Sequence, residues 1–233
     1  MKHLLQHLFS PKYFYQFSRK CLPWFYFIFF ISFFYGLIGG LILSPPDYQQ
    51  GDAFRIIYLH VPFSFLSLFI YLAMATFALL GFVWKIKLAD ILMRASAPIG
   101  ASFTLLALIT GSLWGKPMWG TYWIWDARLT SELILLFLYL GYISLTQAYP
   151  QQQQGHLAGR IIVMVGIINI PIIHYSVYWW NTLHQGATLS KLSKPSIANN
   201  MLYPLLSMII AFLFYYLILL FLRTQREVFK KLQ

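Results

Sequence analysis

Two histidines and one aromatic stretch are the residues of this 233-residue chain whose types could do chemistry. His60 stands in YLHVPFS and His184 in WWNTLHQGATLS, each at the edge of a long apolar run. Between them in the chain lies WGTYWIWDARLT, residues 119–130, which places Trp119, Tyr122, Trp123 and Trp125 beside Asp126 and Arg128. Neutral imidazole nitrogen is a good donor to transition metals. Aromatic faces pack on large flat ligands, or gather at a membrane interface. Asp can cap a helix, and Arg can hold a carboxylate or snorkel to a phosphate. Which chemistry applies depends on whether these features meet in space, and the elements that carry them decide that.

The composition places those elements in a bilayer. Hydrophobic residues make up 59% of the chain and charged residues 10%, far from the mix of a soluble domain. Six apolar segments, at about 22–43, 57–84, 95–113, 131–149, 161–179 and 202–222, each approach the roughly 20 residues that a spanning helix needs. In the second, Pro62 is expected to separate a juxtamembrane turn from the spanning helix. No A-x-A-like site precedes the first run, so it reads as a retained helix. The expected fold is all-α, a single six-span membrane domain with a Trp-rich amphipathic segment at 114–130 in the loop between spans 3 and 4.

Lys and Arg between the spans orient it. Lys2, Lys12, Arg19 and Lys20, then Lys85, Lys87 and Arg94, then Arg160, then Arg223, Arg226, Lys230 and Lys231 fall on one side. Only Arg55, Lys116, Arg128, Lys191 and Lys194 fall on the other. By the positive-inside bias, both termini are expected to be cytoplasmic. The net charge of +11 is explained by this bias rather than by nucleic acid, and QQQQG at 151–155 reads as a polar inner connector.

This topology sorts the histidines. His3, His7 and His156 fall inside without ligand spacing, whereas His60, His184 and the aromatic stretch all fall outside. One histidine at an apolar boundary is more often hydrogen-bonded than ligating. Two on one face, from separate segments, can occupy both axial positions of a heme. A tetrahedral zinc site would want more Cys or His donors than are present. His174, ten residues before His184, is about 15 Å deeper if helical, and is expected to bond another helix. If residues 119–126 are helical, Trp119, Tyr122, Trp123 and Asp126 share one face with Trp125 at its edge, suited equally to lying on the leaflet or to carrying a porphyrin. Asp126 can cap the next helix, and Arg55 or Arg128 can meet propionates or lipid phosphates.

Other chemistries are missing. The single cysteine, Cys21, reads as a small lipid-side residue and permits neither an internal disulfide nor a CxxCH attachment site. GSLWGKP at 111–117 only approximates a phosphate-binding loop, with its glycines one residue too close and Pro117 where Ser or Thr is needed. No catalytic cluster is evident, so an ATP-driven step would belong to another subunit.

WGTYWIWDARLT resembles the signature of the tryptophan-rich, or WWD, heme-handling family. HVPFSFLS and PIIHYSVYWWNTLHQGAT are similar to flanking segments in the branch of that family serving bacterial cytochrome c maturation. The resemblance implies that His60 and His184 are axial heme ligands at the periplasmic face of the inner membrane. It implies a platform from Trp114 to Arg128, with Trp114, Trp119, Tyr122, Trp123 and Trp125 against the macrocycle and Arg55, Asp126 and Arg128 meeting propionates or a partner. Heme b would be held transiently and without a covalent bond. The implied partners are a periplasmic heme chaperone, an ATP-binding subunit, a second multi-span subunit and a small single-span subunit, the chain itself being non-catalytic. Two other functions compete: a b-type cytochrome oxidising quinol, and a heme-free transporter permease.

Overall fold

The computed structural model describes residues 10–149, 151–184 and 197–232. Lys2, His3, His7, Lys191 and Lys194, which entered the readings of charge and histidines, lie outside them. The described chain is helical, without a strand, and six of its helical segments are long and apolar enough to cross a membrane.

Ser10 starts helix α1 (Pro11–Ile38) by accepting from the Tyr13 amide at 3.2 Å, with Pro11 where its missing N–H is harmless. A π-helical turn, Gly39–Leu43, ends it. Cys21, on α1, is half-buried against the core rather than facing lipid alone. Next come a 3-10 turn, Asp52–Ile56, and α2 (Ile57–Val83). The break lies at Ile56, not at Pro62: α2 runs through the proline, which removes one amide donor without interrupting the helix. α3 (Lys87–Trp119) also passes through two prolines, Pro98 and Pro117, and reaches well beyond the expected 95–113. It is the most enclosed span, with Ala97, Gly100, Ala101, Thr104 and Ala107 buried along it, small residues that let neighbouring helices approach.

α4 (Ala127–Ala148) follows, and the fifth span is split into α5 (Gln152–Gly166) and α6 (Asn169–Trp179). The sequence suggested one helix here. Pro171 has no amide to offer the Ile167 carbonyl, and the Ile170 amide bonds that carbonyl instead at 3.0 Å in a tighter turn. α7 (Asn199–Leu232) closes the bundle against α1, with Phe25 meeting Phe214 and Phe221 at centroid distances of 5.2 Å.

Candidate functional site

His60 lies in the first turn of α2, and α3 supplies its setting. Its Nδ1 is 3.1 Å from the Ala107 carbonyl and 3.1 Å from Thr110 Oγ1. A carbonyl can only accept, so Nδ1 carries the hydrogen. The Thr110 hydroxyl sends its own hydrogen to the Leu106 carbonyl at 2.6 Å, which leaves its lone pairs toward the ring. Nε2 therefore holds the lone pair, which accepts a long bond from the Ser64 hydroxyl at 3.5 Å. The ring reaches α3 because residue 111 is glycine: a Cβ there would stand 2.9 Å from His60 Cε1. Trp114 covers it edge-on at 5.6 Å between centroids, its Nε1 donating to Gln50 Oε1 at 2.9 Å.

His184 lies beyond the end of α6 and is held from another direction. Its Nδ1 donates to Asp126 Oδ2 at 2.8 Å, and the Thr182 hydroxyl donates to the same oxygen. Asp126 Oδ1 accepts from the Leu129 amide at 2.8 Å, so this carboxylate is also the N-cap of α4. Nε2 of His184 has no hydrogen-bond partner among the described residues. Carboxylate, imidazole Nδ1–H and an Nε2 without a partner form the arrangement that fixes the tautomer and orientation of a metal-binding histidine. Trp119 leans on the His184 ring at 4.6 Å and folds back over Gly115, where a Cβ would come 2.9 Å from its Cε3.

Electrostatics favour a neutral imidazole at His184. Burial opposes charge on both members of the pair. At Asp126 it is outweighed by hydrogen bonds from Thr182, Leu129 and His184, which hold the carboxyl below its ordinary value. At His184 burial wins over the attraction of Asp126, and proton affinity falls below that of free imidazole. An ion pair alone would have raised it. Burial prevails because the Asp126 side chain is only 8% exposed and its carboxylate is already satisfied by two other donors.

Arg128, on the first turn of α4, donates to the Ile173 carbonyl at 2.8 Å and lies within coulombic reach of both His60 and His184. The two imidazoles also lie within coulombic reach of one another. His60, His184, Trp114, Trp119, Asp126 and Arg128 are thus gathered at one end of the bundle. Arg55 belongs elsewhere: it donates to the carbonyls of Gly40 and Ser44 at 2.9 Å each and pairs with Asp52 at 3.0 Å.

The stretch between Trp119 and Asp126 is not a helix. Gly120 has φ of 79°, the left-handed conformation that terminates α3, so the shared face of Trp119, Tyr122, Trp123 and Asp126 expected from helical spacing does not form. Trp123 packs edge-on against Trp125 at 5.3 Å, and its Nε1 is buried without a partner among the described residues. Trp125 is 77% exposed, and Tyr122 is exposed with Lys116 5.2 Å above its ring. His174 does not make the expected bond to another helix. Among the described residues it has no hydrogen bond, and its ring meets Tyr175 at 4.8 Å. Nor does any group of three or more His, Cys, Asp or Glu come together among the described residues in a way that could hold a metal ion.

Thr182, Thr110, Gly111 and Gly115 escaped the sequence reading. The glycines gave a signal in GSLWG, two small residues four apart on one helix face beside a tryptophan. Thr182 gave another, a hydroxyl two residues before a histidine.

Fold and site together define a class: a six-span helical membrane protein with paired histidines and clustered tryptophans at one end of its bundle. The sequence model of the family described as heme exporter protein C matches residues 4–233. The chain belongs to that family. It is 48% identical to "Heme exporter protein C" of Haemophilus influenzae over 222 residues, 95% of this chain and 90% of the relative. With the Escherichia coli K12 protein of the same name it shares 52% identity over 184 residues, 79% and 75% of the two chains. The namesake from Bradyrhizobium diazoefficiens is 44% identical over 222 residues, 95% and 84%.

Proposed function

We propose that this chain is a heme-handling subunit of the bacterial inner membrane, with both termini cytoplasmic and its site at the periplasmic face. It takes heme b without a covalent bond and passes it to a periplasmic heme chaperone for cytochrome c maturation. His60 and His184 are the axial ligands through their Nε2 atoms. Trp114 and Trp119 back the two imidazoles, while Trp123, Trp125 and Tyr122 extend the aromatic surface outward, where heme edge and chaperone would meet. Asp126 orients His184, and Arg128 offers a charge to a propionate. Arg55 commits one hydrogen on each of its three nitrogens to partners, which leaves two of its five N–H donors for a propionate or a partner.

One observation carries this reading: each imidazole has its Nδ1–H committed to an acceptor within the chain, which leaves Nε2 for iron. The family also fits it, since relatives are named as heme exporters. The chain itself does no covalent chemistry here. Two nitrogen ligands that exchange suit a handover, and ATP hydrolysis would fall to the ATP-binding subunit of an ABC-type complex that includes a second multi-span and a small single-span subunit.

Purified protein titrated with heme, with and without the chaperone, tests it. A Soret band that is lost or altered in His60→Ala and in His184→Ala is expected, with Trp123→Ala inserted normally but impaired in binding or transfer. Wild-type spectra in all three variants would remove the assignment.

A further inference from the structure

Glu132 is a carboxylate inside the bundle for which heme ligation has no direct use. It is buried on α4, and none of the ion pairs among the described residues includes it. An ionisable side chain in a spanning helix is expensive and usually functional. Filling the same space with an apolar residue is often neutral or stabilising. Its surroundings indicate why a polar one is kept.

Ser67 of α2 donates to Glu132 Oε1 at 2.7 Å, and the Tyr139 hydroxyl of α4 donates back to the Ser67 carbonyl at 2.7 Å. Beside Glu132, the Ser131 carbonyl accepts from Asn169 of α6 at 2.9 Å. One turn toward the site, Arg128 reaches the Ile173 carbonyl of α6 and lies in coulombic range of the Glu132 carboxylate. These bonds tie together the three elements that carry the imidazoles. His60 is seven residues before Ser67 on α2, about 10 Å along the axis, and Asp126 is six residues before Glu132 on α4, about 9 Å. α6 leads into His184. The tie therefore lies beneath both ligands, about two helical turns into the bundle.

We infer that Glu132 is a positioning residue for the imidazole pair: by accepting from Ser67 it fixes α2 against α4, and thereby the separation between His60 and the His184 held by Asp126. It touches neither imidazole. The inference rests on the heme-binding reading.

Heme titration of the full-length protein, followed by absorption and electron paramagnetic resonance spectra, separates the two. In wild type a six-coordinate low-spin spectrum is expected. Glu132→Leu, similar in size but without an acceptor, should weaken heme binding and bring in a high-spin component, because the two imidazoles leave the separation that six-coordination needs. Glu132→Gln keeps the acceptor and should keep the low-spin spectrum. Ser67→Ala deletes the same bond with little change of volume, and should shift the spectrum as Glu132→Leu does even if the latter inserts poorly. Unchanged spectra in Ser67→Ala and Glu132→Leu would overturn the inference, as would a Glu132→Gln protein as damaged as Glu132→Leu. A wild type without the low-spin spectrum would instead overturn the heme-binding reading, and this inference with it.

Discussion

At Asp126 one oxygen caps α4 through the Leu129 amide while the other holds Thr182 and His184, so two substitutions can separate its roles. Asn is as good a cap as Asp, whereas Ala at a cap costs about 0.5–2 kcal/mol. Asp126→Asn should therefore leave the melting temperature nearly unchanged yet weaken heme binding by about tenfold or more through the altered support of Nδ1. Asp126→Ala should lose both, and equal melting temperatures for the two variants would contradict the capping role. Protonation adds a second residue-scale expectation. With its proton affinity below the free value of 6.5, His184 stays neutral in the fold while the unfolded chain takes up a proton. Stability is then complete above about pH 6.5 and declines as pH falls through that value. The Asp126 contribution is present above 3.8 and is lost only below it, so it adds nothing in the milder range. Melting at pH 7.5 and pH 5.5 should show a smaller acid-induced drop in His184→Gln than in wild type. Both histidines and Asp126 could be picked out from their types and their side of the membrane. The Ala107 carbonyl could not, because a backbone acceptor has no residue signature.

Elements explain what sequence periodicity could and could not reach. Six spans were legible because each is an apolar run of membrane length, a signal that survives ignorance of packing. The interruption between α5 and α6 was not, because hydropathy stays high across Ile167 and Ile168 and only Pro171 marks it. Likewise Gly120 was the available sign that Trp119 ends a helix rather than starting an amphipathic face. Gly111 gives a test at this scale. Alanine is the better helix former by about 0.5–1 kcal/mol, but its Cβ would collide with His60 Cε1. Gly111→Ala should accordingly insert but bind heme more weakly, the helix-propensity gain being offset by displacement of the His60 ring. If binding is unchanged, the close contact between α2 and α3 does not set the place of His60.

For the whole molecule, orientation is the expectation that rests on cation counting and that helix packing does not test. Cys21 is the single cysteine, so a Cys21→Ser background allows sided labelling. Tyr48→Cys, at a position 90% exposed near the histidine site, should react with an impermeant maleimide in intact spheroplasts. Gln153→Cys should react only after permeabilisation, and the reverse pattern would turn the site toward the cytoplasm. Within the bundle the two imidazoles are secured in unlike ways. His60 is part of a spanning helix and bonded to the backbone of α3, whereas His184 sits on the segment after α6 and its Nδ1 is held by side chains alone. A ligand shared by the two would therefore be held by a backbone-anchored ring on one side and a side-chain-anchored ring on the other. On the proposed heme-binding reading, His60 would then be the more firmly placed ligand, so His184→Ala should retain more of the heme absorption than His60→Ala does in parallel titrations.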